Sequence, residues 1–343
     1  MTTHSSTHST DLIIIGAGPV GLFAIFEAGM MGMRCHVIDT LDTIGGQCTA
    51  LYPEKPIYDI PAHPAINAQD LITKLESQAK PFEPVYHLNQ QVTQLKQLND
   101  EQWQATTNTG TTICAKAVII AAGCGAFGPN RPPLEGIENY EGTSVHYMVT
   151  KRKSFEGKQV VIAGGGDSAV DWALSLHDIA KSLYVVHRRP KFRCAQDSFN
   201  KLQSLAQEGK IELVIPYQLS GLEGNADTGQ LTAVEVKNLD GSTKLIQADC
   251  LLPFFGLSME LGPIANWGLN IDKKHISVHQ STLETSQSGI YAIGDIATYE
   301  GKLKLILCGF SEAAMACHHA RNRVFSGQNF HFEYSTTSGV PTL

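Results

Sequence analysis

Asp11–Asp39, DLIIIGAGPVGLFAIFEAGMMGMRCHVID, is the stretch that decides the fold. Leu12–Ile15 is a short apolar run suited to a buried parallel strand, and Gly16-Ala17-Gly18-Pro19-Val20-Gly21 follows it as a G-x-G-x-x-G turn. Glycines at these spacings permit a tight bend, close approach of backbone to a pyrophosphate, and close packing of the next helix on the sheet. That helix carries Leu22, Ile25, Phe26 and Gly29 on one face. Its N-terminus would point at the phosphates. A second strand, Arg34–Ile38, ends at Asp39. A carboxylate there can accept both hydroxyls of an adenosine ribose and would repel a 2′-phosphate, so this cradle is expected to hold FAD or NAD(H) and to refuse NADP(H).

The same plan returns later in the chain. Val160–Ala163 is a strand, Gly164-Gly165-Gly166-Asp167-Ser168-Ala169 a G-x-G-x-x-A turn, and Ala169, Trp172, Ala173, Leu176 and Ala180 trace a buried helix face. Asp39 follows Gly16 by 23 positions, and His187 follows Gly164 by the same 23. Two copies of one nucleotide unit make an α/β protein with two Rossmann-like domains, each with strands on one side of a parallel sheet and helices on the other. The copies differ where the ligand is chosen. In place of Asp39 stands His187-Arg188-Arg189, with Lys191 and Arg193 close behind. Arginine forks match a phosphate, so this end suits the 2′-phosphate of NADP(H); a solvated basic loop is the plainer alternative.

Between and after the cradles the pattern changes. LDTIGGQCTALYPEKPIYDIP is a long aperiodic loop, with Gly45-Gly46-Gln47 suited to close ligand approach. As residue types alone, Tyr52 and Tyr58 are core or rim aromatics more often than ring-stacking partners. Ala68–Lys80 reads as an amphipathic helix, and Gln91–Leu98, Trp103–Thr107 and Thr111–Ile120 as a meander that returns to the parallel sheet. A second meander is expected from Ile211–Pro216, Leu231–Asn238 and Ser242–Cys250. Ile290–Ile293 is a final strand, and Asp295 at its end sits where an open sheet binds ligands, although a capping or salt-bridge role is open to it. A helix over Ser311–Val324, capped by Ser311, would bring an N-terminus that favours negative charge.

The expected organisation is a disordered tail over residues 1–10, an FAD-binding domain from 11–124 and 286–343, and an NADP(H)-binding domain over 125–285, with crossings near 125 and 280. A net charge of −7 argues against general nucleic-acid binding. Eight cysteines without a C-x-x-C read as reduced thiols, with neither a disulfide framework nor a metal centre. A cytoplasmic protein is expected, with residues 12–33 belonging to the cradle and not to a membrane span.

GAGPVGLF, GGQCTALYPEKPIYD, GGGDSAVDWAL, HRRPKFR, LGPIANWGL, GDIATYEGKLKLI and the GFSEA helix together resemble the ferredoxin (flavodoxin)-NADP+ reductases of the thioredoxin-reductase-like type, type 2. The resemblance spans nearly the whole chain after the first ten residues. It implies the thioredoxin-reductase-like fold, bound FAD and NADP(H), a homodimer, and ferredoxin or flavodoxin as partner. It also implies FAD contacts at Asp39, Gln47, Tyr52, Val92, Phe127, Asp295 and Thr336, with Tyr52 stacked on one isoalloxazine face and Tyr334 covering the other. Where true thioredoxin reductases carry a C-x-x-C, this chain has His146-Tyr147-Met148-Val149-Thr150 followed by Lys151-Arg152-Lys153. Electrons are therefore expected to leave the flavin directly, toward a protein that docks on Lys151, Arg152, Lys153, Lys302 and Lys304. The rival readings are an NADPH-dependent reductase of flavin, quinone or disulfide, and a flavin redox sensor of low turnover.

Overall fold

Leu12–Ile15 is buried on both faces, and its alternation assigns a partner to each side. Leu12 and Ile14 pack with Leu22, Ile25, Leu71 and Ala313 of the helices. Ile13 and Ile15 pack with Trp103, Ala105 and Ile113 of a second sheet. A strand in the middle of three layers has this pattern, because neither face meets water. The structure is a computed structural model that describes residues 6–328, 336, 339 and 340, without the side chains of residues 126–129 and 257–259.

The chain divides into two units, Met1–Phe127 with Met259–Leu343, and Gly128–Ser258. In the first, five parallel strands run in the order Ile290–Ala292, Ala117–Ile120, Leu12–Ile15, Cys35–Ile38, Val85–His87. Helices Pro19–Met30, Ala68–Ala79 and Ile306–Val324 contribute the core on one side. A meander of Val92–Asn99, Gln102–Thr107 and Thr112–Ala115 covers the other. Trp103 ties this meander to the parallel sheet, its Nε1 donating to the Ser288 carbonyl at 3.0 Å.

The second unit repeats the plan with four parallel strands, Glu212–Val214, Ser182–Val186, Gln159–Ala163 and Cys250–Pro253. Val160 and Ile162 face helices Asp167–Leu176 and Gln196–Gln207, whereas Val161 and Ala163 face a meander of Tyr217–Asn225, Gln230–Asn238 and Thr243–Gln247. Among the described residues no helix is long and apolar enough to cross a membrane. The apolar stretch 12–33 divides into a strand and a 12-residue helix.

Four expectations are corrected. Ile211–Pro216, expected in the second meander, contributes the parallel strand Glu212–Val214 beside Ser182–Val186, and the meander opens instead with Tyr217–Asn225. Residues 7–9 of the expected disordered tail form a strand, Thr7–Ser9, parallel to Thr112–Ala115. Backbone pairing on an open sheet edge needs no hydrophobic pattern, which is why its polar residues gave no sign of it. The second crossing comes at 258/259 and not near 280 or 285. Residues 259–285 belong with the first unit because Ile264, Trp267, Leu269 and Ile276 enter the apolar cluster of Ile13 and Trp103. The last helix starts at Ile306 after Leu305, five residues ahead of Ser311. Its first turn takes no side-chain cap, so the serine signal pointed to the wrong place.

A buried carboxylate fixes that helix to the end of the last parallel strand. Glu312 Oε2 accepts from the Gly294 N–H at 2.7 Å, and Oε1 accepts from Tyr299 OH at 2.8 Å and from Lys302 Nζ. The Lys302 and Glu312 side chains are only 5% and 3% exposed. Lys302 is thus an internal charge, and it leaves the set of surface lysines expected to dock a partner.

His8, brought in by the N-terminal strand, packs its ring 5.3 Å from His36 and 5.2 Å from His87, whose nitrogens meet at 2.9 Å from His36 Nδ1 to His87 Nε2. Burial first, then the neighbouring His87 and His8, pull His36 down to about 4, and burial lowers His87 as well. The unfolded chain therefore binds more protons than the folded one below the ordinary histidine range. Stability present above pH about 6.5 is lost as the pH falls toward about 4. Thermal unfolding scans should show the midpoint falling through this window, with a shallower fall in His36→Gln. Separately, Glu312→Leu strands the buried Lys302 charge and should cost about 3–5 kcal/mol in denaturant titrations. Adding Lys302→Met should recover most of that loss.

Candidate functional site

Gly16 leaves the first strand at φ 111°, and a Cβ there would lie 2.3 Å from the Ala121 carbonyl oxygen. Gly21 is as tightly held, its Cβ position 2.0 Å from the Gly16 oxygen. These contacts press the turn and the helix Pro19–Met30 onto the sheet. Gly18, between them, has nothing within 4 Å of its Cβ position. The backbone at that point opens onto a cavity of about 290 Å³ that lies wholly within the first unit.

Gly16, Gly18, Pro19, Asp39, Gln47, Tyr52, Val92 and Asp295 all line this cavity, so the fold gathers most of the residues expected to hold FAD. Gly21 lies behind the turn as a packing residue. Asp39 clamps the turn: Oδ2 accepts from the Ala17 N–H at 2.6 Å and Oδ1 from the Leu41 N–H at 2.9 Å. Burial raises its carboxyl above the usual value, against the opposing pull of the backbone N–H groups of Leu41, Ala17 and Thr40. Tyr52 lines the same cavity. Burial holds its hydroxyl protonated, in a hydrogen bond with Cys48, and Asp295 is close enough to add to that effect. Thr336 is exposed and outside the lining. Tyr334 and the Phe127 side chain lie outside the described residues.

Several lining residues were not foreseen. Pro263, Ile264 and Trp267 form one wall and Lys304, Leu305 and Ile306 another. The first group falls inside LGPIANWGL, quoted above without a role, and the second inside GDIATYEGKLKLI. Ile306 begins the last helix, so two helix N-termini, at Pro19 and Ile306, open onto the same cavity. Close approach of these helices depends on Gly309, where a Cβ would meet Val20 Cγ2 at 2.4 Å.

The second unit's turn is built alike and finished differently. Gly164 at φ 152° sits against the Phe254 carbonyl, with its Cβ position 2.7 Å from that oxygen. Gly166 precedes the helix Asp167–Leu176 and has open space at its Cβ position. The His187 ring covers Gly165, where a Cβ would come within 2.3 Å of it. Burial, with the charges of Arg188, Arg189 and Arg193, lowers the imidazole's pKa against the pull of the Lys191 carbonyl. The basic loop then folds back onto the turn: the Arg193 N–H donates to the Gly165 carbonyl at 2.6 Å, and the Ala195 N–H to Asp167 Oδ1 at 2.9 Å. Asp167 thereby anchors the loop. Arg188, Arg189, Arg193 and Ser168 are exposed around the open glycine.

These features fit two nucleotide cofactors. The open space over Gly18 and over Gly166 is what backbone approach to a pyrophosphate requires, and a side chain at either position would fill it. An acid ends one cradle and three arginines the other.

Residues 10–322 match the family described as pyridine nucleotide-disulphide oxidoreductase. The chain is 59% identical over 334 residues to a protein of Paramagnetospirillum magneticum named ferredoxin–NADP reductase, covering 97% of this chain and 98% of that one. It is 57% identical over 344 residues to the protein of that name in Rhodospirillum rubrum, covering 99% of each. Among solved structures, the thioredoxin reductase of T. acidophilum superposes with a TM-score of 0.79 at 24% identity, over 93% of this chain and 100% of that one. Lactococcus lactis thioredoxin reductase gives 0.78 at 23%, over 92% and 99%. Its two glycine-turn cradles and its close relatives agree: the chain belongs to the pyridine nucleotide-disulphide oxidoreductase family, in the branch whose members are named ferredoxin–NADP reductase.

Proposed function

We propose that this protein is an FAD-dependent ferredoxin (flavodoxin)-NADP+ reductase. The observation that carries the reading is the pairing of two open glycine turns with opposite ligand-choosing ends, Asp39 in one unit and Arg188, Arg189 and Arg193 in the other. An acid accepts the free ribose hydroxyls of FAD, and the arginines accept the extra phosphate that distinguishes NADP(H) from NAD(H). FAD supplies the exchange between a hydride, which carries two electrons, and single electrons.

The remaining steps belong to the chain. Asp39 would orient the adenosine ribose of FAD with lone pairs not engaged by Ala17 and Leu41. The N–H groups after Pro19 would hold the pyrophosphate, Asp295 would take a ribityl hydroxyl and Tyr52 would support the isoalloxazine, with Gln47 and Val92 also lining the cavity. Thr336, Phe127 and Tyr334 are retained as further FAD contacts on the resemblance. Gly164, Gly166, Asp167, Ser168 and His187 shape the NADP(H) turn.

No C-x-x-C stands anywhere in the chain, so a relay from flavin to an internal dithiol is missing and electrons pass straight to an external carrier. Exposed Lys151 and Lys153 offer that carrier positive charge. We assign a cytoplasmic homodimer as the working form, in line with the family resemblance.

Stopped-flow mixing of the purified flavoprotein with NADPH should bleach the flavin much faster than NADH does, and oxidised ferredoxin or flavodoxin should restore the colour. Arg188→Ala with Arg189→Ala should raise the KM for NADPH by about tenfold to a hundredfold, the scale of lost hydrogen bonds to a charged group, and leave that for NADH unchanged. Equal rates with the two nucleotides would remove the phosphate assignment, and a flavin left reduced by both carriers would remove the acceptor.

A further inference from the structure

Lys304 is a charged side chain on the wall of the FAD cavity that no step above uses. The side chain is exposed but held. Its Nζ lies 2.6 Å from His275 Nε2, and His275 Nδ1 lies 2.9 Å from the Lys273 carbonyl oxygen. A carbonyl only accepts, so Nδ1 carries the imidazole proton. Nε2 is then the bare nitrogen, and it accepts from the lysine ammonium. His275 is itself set in place by its strand, His275–Ser277, which pairs with Ala297–Thr298 just after Asp295. The whole device belongs to the first unit.

The charge stands at one particular end of the cavity. Lys304 precedes Leu305 and Ile306, where the last helix opens its N-terminus to the lining. It acts on Cys124, whose thiol bonds to Gln47 and whose charge would be felt by Tyr52. Tyr52 is the lining residue assigned above to the isoalloxazine, which places Lys304 with that part of the cavity. A lysine and a helix N-terminus both favour negative charge, and they coincide there.

We propose that Lys304, held by His275, is a tuning residue that stabilises the negative charge of the reduced isoalloxazine and so raises the reduction potential of the bound flavin. The inference rests on the assignment of this cavity to FAD. His275 is the positioning residue: it touches the lysine and does not line the cavity. An imidazole acceptor holds the ammonium without neutralising it, whereas a carboxylate in its place would cancel the charge.

The test is equilibrium reduction of the holoprotein against a reference dye, with flavin content measured on each sample. Lys304→Met should shift the oxidised-to-reduced ratio about tenfold toward oxidised flavin, about 30 mV for a two-electron couple. Lys304→Arg should stay within about twofold of the parent, and His275→Phe should move the ratio in the same direction as Lys304→Met by less. An unshifted ratio in Lys304→Met with full flavin content overturns the proposal. An unshifted ratio with a raised KM for the electron carrier overturns it too, and makes Lys304 a docking residue. If the parent protein takes up no FAD on titration, the cavity assignment itself fails, and the tuning role falls with it.

Discussion

Contact between backbone and backbone at the first glycine turn is the constraint on which the rest depends. With Gly21 pressed on the Gly16 carbonyl and Gly16 on that of Ala121, no side chain separates helix from sheet. The start of Pro19–Met30 therefore points over the strand ends, and its N–H groups face the cavity. Gly309 extends the constraint to a second helix, since only a glycine lets Ile306–Val324 approach Val20 this closely. The Glu312 carboxylate then ties that helix to Gly294, beside Asp295. Cofactor geometry is thus set by steric exclusion at a few backbone positions, and the polar groups act within the frame that exclusion leaves.

Both units meet the same mechanical need by different chemistry. A strand followed by a glycine turn requires something at the end of the next strand to hold the turn down. In the first unit Asp39 does this with two short bonds to backbone N–H groups, and in the proposed function its charge also selects a ribose with free hydroxyls. A carboxylate cannot serve in the second unit without repelling the extra phosphate. There the His187 ring covers the turn, and the loop after it is anchored through Gly165 and Asp167. The arginines are thereby left exposed for recognition, because none of them is needed to hold the turn.

Those features were legible in the sequence because glycine spacing and strand-end charge are local signals. The cradles, the helix Ala68–Ala79, the first meander and two strands of the second could be read from periodicity. Tyr217–Asn225 was missed, since the register shifts at Leu219/Gly221 and Glu223/Gly224 break the alternation that marks a strand. The boundary near 258 was invisible for another reason. Trp267 and Ile276 show their allegiance only by packing against Trp103 and Ile13, more than 160 positions earlier. The walls made by Pro263 and Lys304 share that character: an aperiodic loop records which ligand it faces only once the sheet beneath it is built. Lys302 and Lys304 illustrate the limit most sharply, for they stand two positions apart in one motif, yet one is buried against Glu312 and the other faces the FAD cavity.

The thiols near Tyr52 decide how electrons leave. Cys48 lines the cavity and Cys124 lies close by, so proximity alone would allow a thiol relay in place of the missing dithiol. Their environment opposes it. Burial pushes the Cys48 thiol up to about 11, and burial likewise raises Cys124 against the opposing pull of Gln47 and Lys304. A thiol that stays protonated at neutral pH is a poor nucleophile, and disulfide exchange requires the thiolate. The cavity therefore favours a flavin that exchanges electrons with its surroundings directly. Lys304 on the cavity wall is exposed, so its ammonium acts on that cavity through the fixed position His275 gives it and not through burial.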